Sequence, residues 1–137
     1  MITLSAYFMG RREAYPEEFK PLYEENAKIL LPRVNEVLTQ FYTVFPKAAE
    51  RGVNSGWRPP HVNAMTRGAS PTSLHMTGEA IDLSDDDEAL DNYVTSPNGL
   101  ALCEHVGLWI ESPNYTKRWC HLQSRPPKSR NRIFIPR

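Results

Sequence analysis

The chain contains four histidines, His61, His75, His105 and His121, and two of them stand in patterned surroundings. In SLHMTGEAIDL, Ser73 to Leu83, the carboxylate of Asp82 follows the imidazole of His75 by seven positions, with Gly78 between them. A glycine there lets the chain turn sharply, so that His75 can fold back toward Asp82. Alternation along Ala80-Ile81-Asp82-Leu83 sends Ile81 and Leu83 into a core and turns Ala80 and Asp82 to the opposite face. The stretch Trp119-Cys120-His121-Leu122-Gln123 alternates in the same way, with Cys120 and Leu122 on an apolar face and Trp119, His121 and Gln123 on the other. If the two strands are neighbours, His75, Asp82 and His121 converge. Two imidazoles and one carboxylate are a common ligand set for catalytic zinc, with water in the fourth position. The same residues also read as three separate structural side chains. A four-ligand structural site and the helix-borne HExxH arrangement are absent. His61, after Pro59-Pro60, reads as an exposed loop residue, and His105, in CEHVG, as a partly buried structural one.

The elements that would carry these groups follow from periodicity. Leu30, Val34, Val37, Leu38 and Phe41 recur at helical spacing, so the first 50 or so residues read as helical. Pro21 suits a helix start, whereas Pro32 implies a kink or restart. Strands are expected at Glu79–Leu83, Leu108–Glu111 and Arg118–Gln123, with a short helix ending at Gly107. The tail holds a brief apolar run, Ile133 to Ile135. The simplest assembly is α+β, with N-terminal helices packed on a small antiparallel sheet, and residues 1–137 form one domain.

Hydrophobic residues make up 40% of the chain and charged residues 23%, with acidic and basic residues balanced at 16 each. This balance gives no global field for nucleic acid or an anionic membrane. No apolar run approaches the ~20 residues of a membrane span, and the N-terminus is too charged for a secretory signal, so synthesis in a cytoplasm is expected. Cys103 and Cys120 read as reduced, buried thiols. The run Asp85-Asp86-Asp87 lacks the spacing of a calcium loop and reads as a solvated acidic turn.

The pattern Ser-x-His-x-x-Gly-x-Ala-x-Asp in SLHMTGEAID, the later WCH, and Ser55-Gly56-Trp57-Arg58-Pro59 upstream resemble the zinc D-Ala-D-Ala carboxypeptidase family. That family includes phage L-alanyl-D-glutamate endopeptidases of the endolysin type. The resemblance spans roughly residues 54 to 123. It implies a Zn2+ cofactor held by His75, Asp82 and His121, and Arg58 as the group that holds substrate and polarises its scissile carbonyl. It implies Ser73 as a support for the first ligand's loop or for the substrate, and the peptide stem of bacterial peptidoglycan as substrate. Trp57 and Trp119 are the aromatic candidates for substrate contact, although Trp57 and Trp109 read equally well as core. Several relatives carry an acidic residue three positions before the last ligand, where this chain has Arg118, which cannot take a proton. Glu111 is the replacement candidate, since a turn at Ser112-Pro113-Asn114 would lay it beside the His121 strand. The alternative is a glutamate bonded to Lys117 or Arg118. On this reading the protein is a monomeric zinc peptidase that cuts either the terminal D-Ala or the L-Ala–D-Glu bond, delivered to the wall by phage lysis machinery or a virion. A catalytically impaired peptidoglycan-binding or phage structural domain is the other class.

Overall fold

The protein is described by a computed structural model covering residues 1–136. Among these residues the chain runs α1 (Leu4–Phe8), α2 (Arg11–Ala14), α3 (Pro21–Val44), β1 (Val53–Ser55), α4 (Pro60–Met65), a 3-10 turn (Leu74–Thr77), β2 (Ala80–Ser84), α5 (Ala89–Val94), α6 (Pro97–Val106), β3 (Trp109–Glu111), a second 3-10 turn (Pro113–Tyr115), β4 (Trp119–Gln123) and β5 (Ile133–Phe134). The fold is α+β. None of the helices is long and apolar enough to cross a membrane.

α3 is the main support of the sheet. Ala27, Leu30, Leu31, Val34, Val37, Leu38 and Phe41 are buried along one stripe, while Lys28 pairs with Glu24 and Glu25 on the wet side. Pro32 sits inside one unbroken helix, so the expected restart does not occur. Three side chains tie α3 to its surroundings: Arg33 Nη1 donates to the Gly107 carbonyl at 2.9 Å, Asn35 exchanges two bonds with the backbone of Ile2, and Asn26 Nδ2 donates to the Thr77 carbonyl at 2.8 Å. The last bond anchors the turn that carries His75.

The sheet order is β1-β2-β4-β3-β5. The first four strands are antiparallel neighbours, but β5 runs parallel to β3. The sheet is therefore mixed rather than purely antiparallel, because the long connection after β4 returns to the far edge in the same direction as β3. Asp82 is opposite His121, Ala80 opposite Gln123 and Ser84 opposite Trp119. One face thus collects polar side chains. The other carries Ile81, Leu83, Ile110, Cys120 and Leu122, all fully buried in the hydrophobic core.

Two sequence expectations are corrected by burial. Asp85 is not solvated: its carboxylate accepts from Arg51 Nη2 at 3.2 Å and from the backbone N–H groups of Leu90 and Asp91, satisfying the start of α5. Only Asp86 and Asp87 of that run are exposed. His105 is also exposed rather than partly buried. Both cysteines are free and buried.

Gly78 closes the His75 turn with φ +79°, and a Cβ there would lie 2.3 Å from the Tyr23 carbonyl oxygen. Gly68 shares the left-handed backbone, at φ +78°, but has open space around it. Gly78→Ala should therefore cost at least about 2 kcal/mol in urea unfolding, and Gly68→Ala only about 1 kcal/mol. Equal costs would show that close packing at position 78 is not what requires glycine.

Candidate metal centre

The β2–β4 register places Asp82 and His121 side by side, and the 3-10 turn swings His75 over the same face. Ligand atoms from His75, Asp82 and His121 all lie within 4.8 Å of one another. His75 Nε2 is 3.2 Å from Asp82 Oδ2, and His121 Nδ1 is 2.8 Å from Asp82 Oδ1. The group can in principle hold a metal ion.

The far nitrogen of each ring is engaged in a way that assigns its near one. His75 Nδ1 sits 2.9 Å from the Gly56 carbonyl oxygen, which can only accept, so Nδ1 carries the proton and Nε2 is left with its lone pair. His121 Nε2 is 2.8 Å from Gln123 Oε1. The orientation of that amide is set by its own Nε2, which donates to the Arg125 carbonyl at 2.8 Å. His121 therefore donates through Nε2 and presents Nδ1 to the centre. This donor set, two imidazole nitrogens and a carboxylate with outer hydrogen bonds in place, fits a borderline divalent cation such as zinc.

The electrostatics agree. Burial pushes the Asp82 carboxyl up, but the two imidazoles outweigh burial and hold it well below the usual carboxylate range. Burial lowers His75, and the charge of Asp82 only partly offsets this. His121 moves the other way, up to about 8, because its shorter bond to Asp82 and the charge of Glu111 overcome its burial. Its ring also packs edge-on to Phe134 with centroids 6.0 Å apart.

Around these three residues the other candidates divide. Arg58 is 8% exposed, its Nη2 donates to Ser73 Oγ at 3.3 Å, and it lies within electrostatic reach of Asp82. Ser73 Oγ also accepts from the His75 backbone N–H at 3.2 Å, so it caps the turn that presents this imidazole. β3 and β4 form the expected hairpin, with Trp109 opposite Gln123 and Ile110 opposite Leu122. The same register carried one residue further sets Glu111 on the side of the sheet that holds His121. Burial raises the Glu111 pKa, with His121 lowering it and Asp82 raising it. Lys117 and Arg118 pair instead with Glu88 and Asp86, so the reading of Glu111 as their partner is overturned. Arg118 is exposed, in a left-handed turn before β4. Trp119 is half-buried on the polar face of β4. Trp57 is not a substrate contact: it is fully buried among Phe8, Phe19 and Tyr23, with its indole N–H donating to the Met76 carbonyl at 3.0 Å. Trp109 is half-buried with the Arg132 guanidinium 4.1 Å over its ring.

Sequence reasoning missed two contributors. The Gly56 carbonyl is a backbone group and leaves no side-chain signature; a Cβ at Gly56 would meet the Tyr7 carbonyl oxygen at 1.8 Å, which is why that position is glycine. Phe134 reaches His121 only through the parallel pairing of β5, visible beforehand as no more than a short apolar run.

A proton count follows. Without metal at pH 7, His121 is mostly protonated, His75 neutral and Asp82 ionised. A divalent ion binding through His121 Nδ1 must then displace that proton. Calorimetric zinc titrations in buffers of different ionisation enthalpy should show release of about one proton at pH 7, fading as pH rises above about 8. Asp82→Asn should lower zinc affinity at least about 10-fold and abolish the raised His121 pKa; unchanged affinity would remove Asp82 from the ligand set.

No family model, no curated protein and no solved structure matches this chain, so the reading of the centre rests on the geometry of these residues.

Proposed function

We propose that the protein is a zinc-dependent peptidase that hydrolyses a peptide bond in the stem peptide of bacterial peptidoglycan, of the D-Ala-D-Ala carboxypeptidase kind that its three motifs resemble. The observation that carries this reading is the convergence of His75, Asp82 and His121 within 4.8 Å, on a sheet face shared with Glu111 and next to Arg58. His75, Asp82 and His121 would hold the zinc, which would lower the pKa of a bound water from about 15.7 to about 7 and polarise the scissile carbonyl.

The chain's own groups have separate tasks. Glu111 takes the proton of the attacking water and returns it to the leaving amine. Burial raises its pKa, which makes its carboxylate a stronger base than a solvated one and its carboxylic acid easier to keep for the return step. No ion pair among the described residues competes for it. Arg58, held by Ser73, donates to the oxygen on which negative charge develops. Phe134 covers one side of His121 and keeps water from that edge. Trp119 offers a half-buried aromatic surface to the substrate.

Arg118, standing where several relatives carry an acid, favours a second reading: a metal-containing but catalytically impaired domain that binds peptidoglycan or forms part of a phage particle. Mass spectrometry of muropeptides after digestion separates the two. The peptidase reading expects a chelator-sensitive mass loss in the peptide stem, and zinc-loaded protein that yields no product would leave only the second. Glu111→Gln should reduce turnover about 10²–10⁴-fold at unchanged zinc content. A fully active Glu111→Gln enzyme would exclude Glu111 as the base.

A further inference from the structure

Two arginines beside the centre lack a carboxylate partner. Arg58 is almost wholly covered, and its Nε, also buried, has no hydrogen-bond partner. Arg11, on α2, reaches across to donate from Nη1 to the carbonyl of Trp57, the residue before Arg58, at 2.9 Å. Among the described residues, the ion pairs that engage arginines involve Arg12, Arg51, Arg118 and Arg125, but neither Arg11 nor Arg58. Arg58 feels the charge of Asp82, and Arg11 feels the charge of Arg58. The bond from Arg11 to the Trp57 carbonyl brings its guanidinium to the segment that carries Arg58. Two guanidiniums held near each other with partial loss of water repel, and each keeps unused N–H donors in a planar fork. An anion between them would relieve the repulsion and satisfy those donors.

We propose that Arg11 and Arg58 form a carboxylate subsite, which binds a free carboxylate on the substrate residue that follows the scissile amide, and that Arg11 is a specificity-determining residue. The inference rests on the peptidase reading for the nature of the substrate, and both candidate bonds meet its demand. A terminal D-Ala carries its own α-carboxylate. D-Glu in a stem peptide continues the chain through its γ-carboxyl and keeps its α-carboxylate free. A substrate amidated at that position presents no negative charge to the pair.

The test uses two matched pairs of probes: N-acetyl-D-Ala-D-Ala with its C-terminal amide, and the γ-methylamide of N-acetyl-L-Ala-D-Glu with its α-amide. Binding is followed by NMR titration of zinc-loaded protein in the Glu111→Gln background, alone and with Arg11→Gln or Arg11→Lys. The acid of at least one pair should bind about 10- to 100-fold more tightly than its amide, and which pair does so distinguishes the two carboxylate sources. Arg11→Gln should bring that ratio close to one by weakening the acid far more than the amide, and Arg11→Lys should retain part of it. Equal binding of acid and amide in both pairs, absence of binding by both acids, or equal weakening of both members of the acid-preferring pair by Arg11→Gln would overturn the subsite. Circular dichroism of each variant separates these outcomes from misfolding, and the comparison of acid with amide on the unsubstituted Arg11 protein needs no variant at that position. Turnover of the same pairs by the protein with Glu111 intact keeps the two claims apart. Acid preference in binding without cleavage sinks the peptidase reading and leaves the subsite standing; cleavage without acid preference does the reverse.

Discussion

The register between β2 and β4 is the constraint on which the rest of the molecule depends. Asp82 faces His121 across that ladder, and each is flanked in sequence by residues that belong to the core, Ile81 and Leu83 on one strand, Cys120 and Leu122 on the other. A slip of one residue would send both polar groups into the apolar layer and expose the core side chains. The burial of those four residues therefore holds the two candidate ligands in place, with each large apolar side chain contributing roughly 1.5–3 kcal/mol. The site's precision comes from the hydrophobic effect acting on the opposite face of the same sheet.

His75 is positioned by a different device. Its turn is pinned from three directions: by the Ser73 cap, by Asn26 of α3 on the Thr77 carbonyl, and by the Arg58 backbone N–H on the His75 carbonyl at 2.9 Å. Tyr7 adds a buried bond from its hydroxyl to the Ala80 carbonyl at 2.9 Å. The N-terminal helices are thereby coupled to the start of β2, and helix packing is converted into the placement of one imidazole.

The sequence was most readable where a pattern extends over several residues. β2, β3, β4 and the helix before Gly107 emerge from alternation and capping, and the three candidate ligands follow from them. What was hidden depends on partners far away in the chain. An acidic run looks solvated until Arg51, 34 residues earlier, is seen against Asp85. Trp57 lies in a motif segment, but β1 and the turn after it point the indole into a pocket of aromatic rings from α1 and α3 and the segment between them. β1 has three residues and β5 two, too few to show a period. Arg11 lies in a four-residue helix among other charges and carries no local mark of its position.

Cys120 precedes His121 directly, yet the pleat puts its sulfur on the other side of the sheet, in the core beside Cys103 and Asp91. Burial is the first cause that keeps this thiol protonated, with its pKa well above the usual value, and burial likewise pushes Cys103 up to about 12. Neither offers the thiolate that reacts with oxidants or captures soft metals. The thickness of one β-sheet thus insulates an all nitrogen-and-oxygen centre from the chemistry of the two core thiols.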